Sequence, residues 1–600
     1  MKLRSCYVAL ASSSLLVAAA LAHAECKIGK MVELAVTMSG LSPTVPVKVN
    51  GAEVRLIADS GAFYSVITAA SAAELNLKLG QAPGQIRLVG IGGTSQTWVT
   101  TVKEFTLGTV SIPRVEFLVG GSEPGNGAVG YLGQNVLGLA DVEYDIANGA
   151  IRLMRPSDCG NSMLAYWATS IPYSVIDIDR ASPLSPHTGG TAYINGVKIR
   201  VLFDTGAATS MLSLRAAARA GVRPGGAGVV TAGLSRGIGQ GTVNTWIAPF
   251  ASFKIGDEEV RNTHLRLSDI SLENAEMLIG ADFFLSHRVY VSNSQHKLYF
   301  TYNGGPVFNL ATNPVSAPAL APPSAVAAQP MEEAQAPGDA SVDTAVDAAT
   351  FSRRGAASAA RRDFEHAIAD FTRACELQPD NASYLYQRGL ARWNNGQPAP
   401  AMDDLEQAIK LKPDYVDALV TRAQLRLSAG DRSGAGADLD AADRFAAKEA
   451  DIRFVIASAY GRAGLLAPAI AEYDLWIPAH RQDTKLADAL DGLCWARALE
   501  GHDLDKALDD CNAALRMRPN AVRMLDGRGL VRLRLGQFDK SIADYDAALN
   551  QQPKDAWSLY GRGVDKIRKG MIDPGQADID AAMALQPRVV EEAKHFGITP

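Results

Sequence analysis

Residues 203–210 read Phe203-Asp204-Thr205-Gly206-Ala207-Ala208-Thr209-Ser210, and they follow a mostly apolar run over residues 199–202. Such a run predicts a β-strand, and the glycine predicts a tight turn directly after the aspartate. A near copy lies upstream as Ala58-Asp59-Ser60-Gly61-Ala62-Phe63-Tyr64-Ser65, again after a mostly apolar run, over residues 54–57. Two aspartates in matching strand-and-turn contexts predict a pair of carboxylates that meet.

The two motifs belong to an internal repeat. Asp59 lies 145 positions before Asp204, and the same offset relates an Asn-Gly turn at residues 50–51 to a second one at residues 195–196. Asn-Gly between apolar runs is a strong signal for a β-hairpin. A constant offset over several features indicates that one unit has been duplicated within the chain.

Each copy continues with the same two features in the same order. A glycine-rich hairpin follows at residues 89–94 and 233–241, and then an apolar-apolar-glycine element at residues 131–133 and 278–280. Short runs rich in Val, Ile, Thr and aromatic residues, broken by Gly, Asn and Pro, fill the rest of the region. The pattern predicts an all-β fold of two barrel-like units. We place the bounds of these units at residues 30–158 and 165–302.

The N-terminus has the pattern of a secretory signal peptide. Lys2 and Arg4 give it a positive start, residues 7–21 are mostly apolar or small, and Ala22-His23-Ala24 fits the A-x-A cleavage rule. We expect residues 1–24 to be removed and the protein to be periplasmic or secreted. An N-terminal membrane anchor is the alternative, and the short run with its small-residue end argues against it. No other segment predicts a membrane span.

Composition narrows the classes of partner. The net charge is −6 over 600 residues, and no basic patch stands out. This balance argues against a nucleic-acid partner, which a basic surface would attract. The nine histidines and six cysteines show no spacing typical of a metal site, so we expect neither a metal nor another cofactor.

The C-terminal part of the chain repeats with a different period. Pro, Ala, Ser and Gln dominate residues 303–350, which predicts a semi-extended linker. Beyond it, Pro379 and Pro413 are 34 positions apart, and so are Pro519 and Pro553. A helical 34-residue unit with small residues where helices cross is typical of tetratricopeptide (TPR) repeats. Residues 351–588 predict about seven units, of which the fourth and fifth are irregular. We expect the repeated arginines of this region to form a solvated face, as at Arg388, Arg392, Arg422 and Arg426.

The cysteines suggest two pairs without deciding them. In the repeat register Cys494 lies in the first helix of a unit and Cys511 in the second, at positions that normally pack together. In an oxidising compartment they could bond, and two buried free thiols are the alternative. Cys26 and Cys159 bracket the first β unit and form the second candidate pair. Cys375 is then left over.

The motifs resemble a known combination of families. Residues 44–302 resemble the retropepsin-like aspartic proteases, through Asp-[Ser/Thr]-Gly-Ala, the glycine-rich hairpin and the apolar-apolar-glycine element, each present twice. Residues 351–588 resemble TPR arrays. The resemblance implies a pseudo-dimer of two protease halves followed by an all-α solenoid. It also implies an extended peptide or protein substrate, and a protein partner on the TPR surface.

The resemblance assigns roles to residues. Asp59 and Asp204 would share one proton and activate a water that attacks the peptide bond. Ser60 and Thr205 would brace the two loops. The glycines fall into two groups: Gly61 and Gly206 would let the carboxylates approach, and the hairpin glycines would belong to flaps over the substrate. These flap glycines are Gly92, Gly93, Gly237 and Gly239.

Three alternatives stay open at this stage. Each half could pair with its twin in a second molecule instead of with the other half of its own chain. The β region could bind peptides without cutting them, because a fold does not guarantee an activity. TPR interactions could be the main function, with proteolysis limited to self-processing at the linker. Phe63 and Tyr64 depart from the small residues of the second motif and would pack in the core or narrow the cleft.

Overall fold

A computed structural model describes residues 26–82, 86–125, 127–180, 187–237, 241–272, 274–308 and 347–600. The expected signal peptide, most of the expected linker and Gly239 lie outside these residues. Within them the chain is β-rich up to residue 308 and helical from residue 348 onward. The multidomain architecture expected from the sequence is therefore confirmed.

The first half of the β region is built from short strands with one buried face. In β3, for example, Val45, Val47 and Val49 are buried while Lys48 is exposed, which is the alternation that a half-buried strand requires. Its strands are β1 Lys27–Ala35, β2 Thr37–Ser39, β3 Ser42–Val49, β4 Ala52–Ala58, β5 Val66–Ile67, β6 Gly80–Gln81, β7 Leu88–Gly90, β8 Gly93–Ser95, β9 Thr97–Leu107, β10 Val110–Gly120, β11 Gly130–Leu132, β12 Asp141–Asp145 and β13 Ala150–Ser157. Its helices are α1 Ala69–Glu74, α2 Gln134–Leu137 and a 3-10 turn at Ile146–Asn148.

The second half repeats this order of elements. Its strands are β14 Ser174–Asp177, β15 Gly189–Ile194, β16 Val197–Phe203, β17 Met211–Ser213, β18 Val230–Arg236, β19 Thr242–Ile255, β20 Glu258–Ser268, β21 Met277–Ile279, β22 His287–Ser292 and β23 Lys297–Tyr302. Its helices are α3 Leu214–Arg219 and α4 Ala281–Ser286. The duplication read from the sequence is thus a duplication of structure.

Each half contains a sheet that curls on itself. The strand order is β2-β3-β4-β11-β5-β10-β9-β6 in the first half, where β3 also pairs with β9. It is β15-β16-β21-β17-β20-β19-β18 in the second half, where β15 also pairs with β19. A parallel strand lies beside the strand that precedes each aspartate, β11 beside β4 and β21 beside β16. The two aspartate loops therefore leave equivalent places in equivalent barrels.

A third sheet joins the halves. It has six strands in the order β1-β13-β12-β22-β23-β14, and β12 of the first half pairs antiparallel with β22 of the second. Glu143 on β12 is fully buried and accepts from Arg152 of its own half at 2.6 Å and from Arg288 of the other half at 2.7 Å. Removing one member of such a buried network would leave an unpaired charge. The two halves therefore associate within one chain.

The C-terminal array contains seven helix pairs and one further helix in the described residues. Its helices are α5 Ala348–Ala360, α6 Phe364–Leu377, α7 Ala382–Asn394, α8 Pro398–Leu411, α9 Val416–Ser428, α10 Arg432–Phe445, α11 Ile452–Ala463, α12 Leu466–Ala479, α13 Leu486–Glu500, α14 Leu504–Met517, α15 Val522–Arg534, α16 Phe538–Gln551, α17 Ala556–Arg568, α18 Ile572–Leu585 and α19 Val589–His595. Close helix crossings explain the repeated small residues. A Cβ at Gly389 would lie 3.2 Å from the Ala401 carbonyl oxygen, and one at Gly563 would lie 2.8 Å from that of Gly575.

The repeated arginines do not form the solvated face expected of them. Arg388 is 15% exposed at its side chain and pairs with Asp404 at 2.7 Å, and Arg422 is 16% exposed and pairs with Asp438 at 2.6 Å. Each pair joins the two helices of one repeat. The expectation was wrong because the partner aspartate lies on the second helix of the unit and comes close only after the helices pack.

The linker is shorter than residues 303–350. Phe308 is buried and its ring contacts that of Phe253 at 5.1 Å between centroids, so the chain still packs on the second barrel there. Helix α5 begins at Ala348, with the Asp347 side chain accepting from the backbone N–H of Thr350. None of the helices in the described ranges has both the length and the apolar character needed to cross a bilayer.

Candidate active site

The two aspartate loops face each other between the barrels. Asp59 follows β4 and donates its backbone N–H to the Leu132 carbonyl oxygen on β11, at 2.9 Å. Asp204 follows β16 and donates in the same way to Ile279 on β21, also at 2.9 Å. Each loop is thus tied to the neighbouring parallel strand at the residue that carries the carboxylate.

Ser60 and Thr205 lock the loops to each other by reciprocal hydrogen bonds. The Ser60 N–H donates to Thr205 Oγ1 at 2.9 Å, and the Thr205 N–H donates to Ser60 Oγ at 3.0 Å. Each hydroxyl then donates across the interface to a backbone carbonyl, Ser60 to Phe203 at 2.9 Å and Thr205 to Ala58 at 2.7 Å. Because both side chains are buried, an unmade bond here would cost the full desolvation of a polar group.

The glycines after the aspartates make room for the opposite carboxylate. A Cβ on Gly61 would overlap the carboxyl group of Asp204, and one on Gly206 would overlap that of Asp59. Each aspartate also accepts two backbone hydrogen bonds at Oδ1. Asp59 accepts from Gly61 at 2.9 Å and Ala62 at 2.8 Å, and Asp204 accepts from Gly206 and Ala207 at 2.9 and 3.1 Å. The inner oxygens are therefore fixed and the two carboxyl groups are held together.

The carboxyl groups are shifted toward the protonated form. Burial raises the pKa of Asp59 well above its usual value, and the nearby Asp204 charge and the hydrogen bond between the two groups raise it further. Burial also raises the pKa of Asp204, while the hydrogen bond from Asp59 and the charge of His187 favour its ionised form. Two close carboxylates cannot both ionise easily, so such a pair shares one proton and titrates as a unit.

A serine in each half anchors the loop from behind, and sequence reasoning missed its partner. Ser65 donates its hydroxyl to Asn135 Oδ1 at 2.8 Å, and Ser210 donates its hydroxyl to Asp282 Oδ1 at 2.7 Å. The serine oxygens in turn accept the N–H of Gly133 and of Gly280. The available signal was position, because Asn135 and Asp282 each stand two residues after the glycine of the apolar-apolar-glycine element.

Family comparisons agree with this geometry. A family model described as aspartyl protease matches residues 45–138, and one described as gag-polyprotein putative aspartyl protease matches residues 190–286. Two tetratricopeptide repeat models match residues 353–426 and 497–556. The chain combines aspartyl protease domains with TPR repeats.

Solved TPR structures resemble part of the chain. A tetratricopeptide repeat protein from Parabacteroides merdae ATCC 43184 is 15% identical and covers 42% of this chain and 99% of its own, with a TM-score of 0.32. YrrB, a TPR protein with an unusual peptide-binding site, is 15% identical over 38% of this chain and 97% of its own, with a TM-score of 0.23. The P58(IPK) TPR domain is 15% identical over 42% and 98%, with a TM-score of 0.17. A search of curated proteins finds no significant match.

The two glycine-rich hairpins of the β region contact each other. We call the β7–β8 hairpin, residues 88–95, flap 1, and the described residues 233–237 and 241–242 of the second hairpin flap 2. The Gly241 N–H donates to the Gly92 carbonyl oxygen at 2.7 Å, which joins the two hairpins. Gly93 has a φ of +103°, and Gly237 packs beside Ile91 of the first hairpin. The structure thus brings Gly92, Gly93 and Gly237 together, while Gly239 lies outside the described residues.

Aromatic residues line the protease region near the dyad. Phe63 and Tyr64 are half-buried, with 4.9 Å between their ring centroids, and Tyr64 packs against the small apolar cluster of Val66. Tyr144 is fully buried, and its ring packs edge-on against that of Phe284, with 5.1 Å between the ring centroids. The sequence had offered packing or cleft-narrowing for Phe63 and Tyr64, and Tyr64 packs.

The cysteines pair as the sequence suggested they could. The sulfurs of Cys26 and Cys159 are bonded, which ties β1 to the residues just after β13. Those of Cys494 and Cys511 are bonded between α13 and α14 of the fifth repeat. Cys375 is a buried free thiol. Among the described residues no group of His, Cys, Asp and Glu is arranged to hold a metal ion.

Proposed function

We propose that this protein is an exported aspartic endopeptidase whose catalytic groups are Asp59 and Asp204. The observation that carries the proposal is the mutual fit of the two carboxyl groups, each occupying the space that a Cβ on the opposite loop's glycine would fill. Fixed inner oxygens and raised pKa values suit a pair that shares one proton. Family matches over both halves support the same reaction class.

The reaction would need only the two carboxyl groups and water. The ionised carboxylate takes a proton from water as the water oxygen adds to the carbonyl carbon of the substrate, and the protonated carboxyl donates to the carbonyl oxygen. Transfer of a proton to the amide nitrogen then allows the C–N bond to break. The roles belong to the pair and not to one residue, since the two groups titrate together.

Raised pKa values define the pH range of activity. The singly protonated pair is the active form, so activity falls when acid protonates both groups and when base ionises both. Burial and mutual repulsion move the loss of the shared proton to a higher pH than isolated carboxyl groups would show.

Export and partner binding complete the proposal. The signal-like pattern of residues 1–24 and the two disulfides support a periplasmic or secreted location, where disulfides persist. The TPR array would recruit a protein partner or substrate, as stacked helix pairs form extended binding surfaces.

The test compares residues 25–600 with the variants Asp59→Asn and Asp204→Asn on an unfolded protein substrate between pH 3 and pH 8. We expect each variant to lose ~10²–10⁴-fold of the cleavage rate, because general acid–base catalysis contributes about that much. Asp269→Asn, at an exposed aspartate of the second barrel, is the matched control and should cleave like wild type.

Two results would overturn the proposal. If wild type and variants cleave equally little while an extended peptide still binds, the site is a peptide-binding module. If one aspartate variant keeps full activity, the two residues do not work as a pair within the chain.

A further inference from the structure

The TPR array departs from its period at two connections, and both departures face the protease region. Regular repeats are joined by four residues, such as 412–415, whereas residues 446–451 and 480–485 form connections of six. Asp451 ends the first long connection and binds Lys485, which ends the second, at 2.6 Å. The fourth and fifth repeats, predicted from the sequence to be irregular, are thus the two that follow these longer connections.

The second long connection binds flap 1. Gln482 Oε1 accepts from the Ser95 hydroxyl at 2.6 Å and from the Gln96 N–H at 3.0 Å. Its amide nitrogen donates to Gln96 Oε1 at 3.3 Å. One glutamine side chain thus holds both the last residue of β8 and the residue after it.

The same stretch binds two further loops of the β region. Asp483 Oδ2 accepts the Glu123 N–H at 2.8 Å, and Glu123 lies in the connection that leads into β11, whose Leu132 holds Asp59. At the start of α13, Asp488 Oδ2 accepts from Arg236 Nη2 at 2.8 Å, and Arg236 is the last residue of β18 in flap 2. Three residues within the stretch 482–488 of the array, Gln482, Asp483 and Asp488, therefore contact three loops of the β region.

Hydrogen bonds attach flap 1 to the array next to a cavity. A cavity of about 250 Å³ lies between the array and the base of the flap, lined on one side by Trp98 and Gly120 and on the other by Pro478 and His480. His480 is fixed by stacking on Trp476, with 4.2 Å between ring centroids. Beside this cavity, the hydrogen bonds of Gln482 join flap 1 to the array.

We propose that residues 482–488 of the TPR array position the two flaps over the dyad, with Gln482 and Asp488 as positioning residues for substrate binding. The catalytic part of this inference rests on the proposed protease function. Flap 1 is held by Gln482, flap 2 is held by Asp488, and the flaps meet each other through Gly92 and Gly241. The array is thereby a structural part of the substrate cleft.

The first measurement, hydrogen exchange, does not require the protein to cleave a substrate. Hydrogen exchange of residues 88–97 is compared in the full exported chain for wild type, Gln482→Ala and Gln576→Ala. Gln576 is an exposed glutamine on α18 that donates to Asp580 of its own helix, and it is the matched control. We expect exchange in flap 1 to speed up ~10-fold or more in Gln482→Ala alone, because local opening follows the loss of the contacts that hold a segment. Asp488→Ala, which removes the partner of Arg236, should do the same for residues 230–237.

The second measurement uses an extended peptide substrate. We expect Gln482→Ala and Asp488→Ala, both on the array, to raise KM ~3–10-fold and to leave kcat within ~2-fold, since a loosened flap weakens binding and does not touch the dyad. Suppose that exchange in flap 1 is faster in Gln482→Ala but wild type shows no proteolysis. This result would support the attachment of flap 1 to the array and overturn the protease proposal. Unchanged exchange in flap 1 of Gln482→Ala would overturn the proposal that the array positions this flap, whatever the cleavage activity.

Discussion

The two halves of the protease region hold equivalent loops in different surroundings. The backbone bonds of Asp59 and Asp204 to the neighbouring strands are equal in length. Behind the loops, however, the first half uses the neutral Asn135 and the second uses the charged Asp282. The TPR array also covers the rim of the first half at several residues but reaches the flap of the second through Arg236.

The comparison teaches which part of a duplicated unit is constrained. The loops must fit each other, so their hydrogen bonds are copied in both halves. The surroundings need only support the loops, and they have diverged. The constrained part includes the shared burial, which raises the pKa of both Asp59 and Asp204, so the pair still titrates as a unit.

The most severe way to break the pair is to fill the space between the carboxyl groups. Gly61→Ala and Gly206→Ala each place a Cβ against the opposite aspartate, so we expect both to lower the cleavage rate by ~100-fold or more through misplacement of the dyad. Overpacking should also cost the protease region ~1–3 kcal/mol in unfolding free energy. Activity assays and denaturant unfolding measure the two effects. Gly461→Ala, in open space on α11, is the control. Unequal losses at the two glycines would show that the loops are not equivalent.

The reciprocal hydrogen bonds between Ser60 and Thr205 can be removed by changing either residue. Ser60→Ala and Thr205→Val each leave buried partners without a hydrogen bond, and we expect each to cost ~1–3 kcal/mol of unfolding free energy. Because the two residues form one network, the double variant should cost less than the sum of the single ones. Denaturant unfolding of all three variants forms the cycle. Strict additivity would contradict a shared network, and the exchange Ser60→Thr with Thr205→Ser is the conservative control.

The divergent anchors offer a direct comparison of the halves. Asp282 is buried, accepts from the N–H and hydroxyl of Ser210 and from the N–H of Phe283, and its charge raises the pKa of the buried Arg266 against the lowering effect of burial. We expect Asp282→Asn to destabilise the second barrel by ~1–3 kcal/mol, since a buried charge loses its partner. Asn135→Asp removes the N–H that Asn135 donates to the Glu116 carbonyl oxygen and should cost ~1 kcal/mol. Thermal unfolding of both variants ranks the effects, and a larger loss for Asn135→Asp would contradict this account of the asymmetry.

A pH-dependent effect concerns the acidic contact between the first half and the array. Burial raises the pKa of Glu123 from 4.5 to about 8, and the charges of Asp451 and Asp483 add to the shift while Lys485 opposes it. An acid with a raised folded-state pKa stabilises the fold below its unfolded pKa and loses that contribution as the pH rises through the folded value. Wild type should therefore lose stability between about pH 4.5 and pH 8 relative to Glu123→Gln.

As the pH rises across this range, the Tm of wild type should fall relative to that of Glu123→Gln. The difference should be ~2–4 °C for each kcal/mol of unfolding free energy lost. Thermal unfolding at pH 5, 6, 7 and 8 measures it. His480 lies 4.0 Å from Glu123 and burial lowers its pKa, but it is present in both proteins and affects them together. A constant difference in Tm over this range would contradict a buried, protonated Glu123.

Much of the site was predictable because its signals are local and repeated. The strand, aspartate and glycine of each loop lie within about ten residues, and the constant offset between the copies indicated that they belong together. The 34-residue period likewise predicted the helix pairs and placed Cys494 beside Cys511. The roles of Asn135 and Asp282 were missed, because a single polar residue after a glycine carries no pattern until the opposite serine has been placed.

The sequence by itself determined the duplicated loops, the identity of the two aspartates and the helical repeat. Only the tertiary structure decided that both loops face each other within one chain, through the pairing of β12 with β22. It also decided that Gln482 and Asp488 of the array bind the two flaps. The physical reason is the distance along the sequence over which each signal acts. Periodicity and turn chemistry act within one or two elements, whereas Ser95 and Gln482 are 387 residues apart and become partners only when two domains have folded and packed.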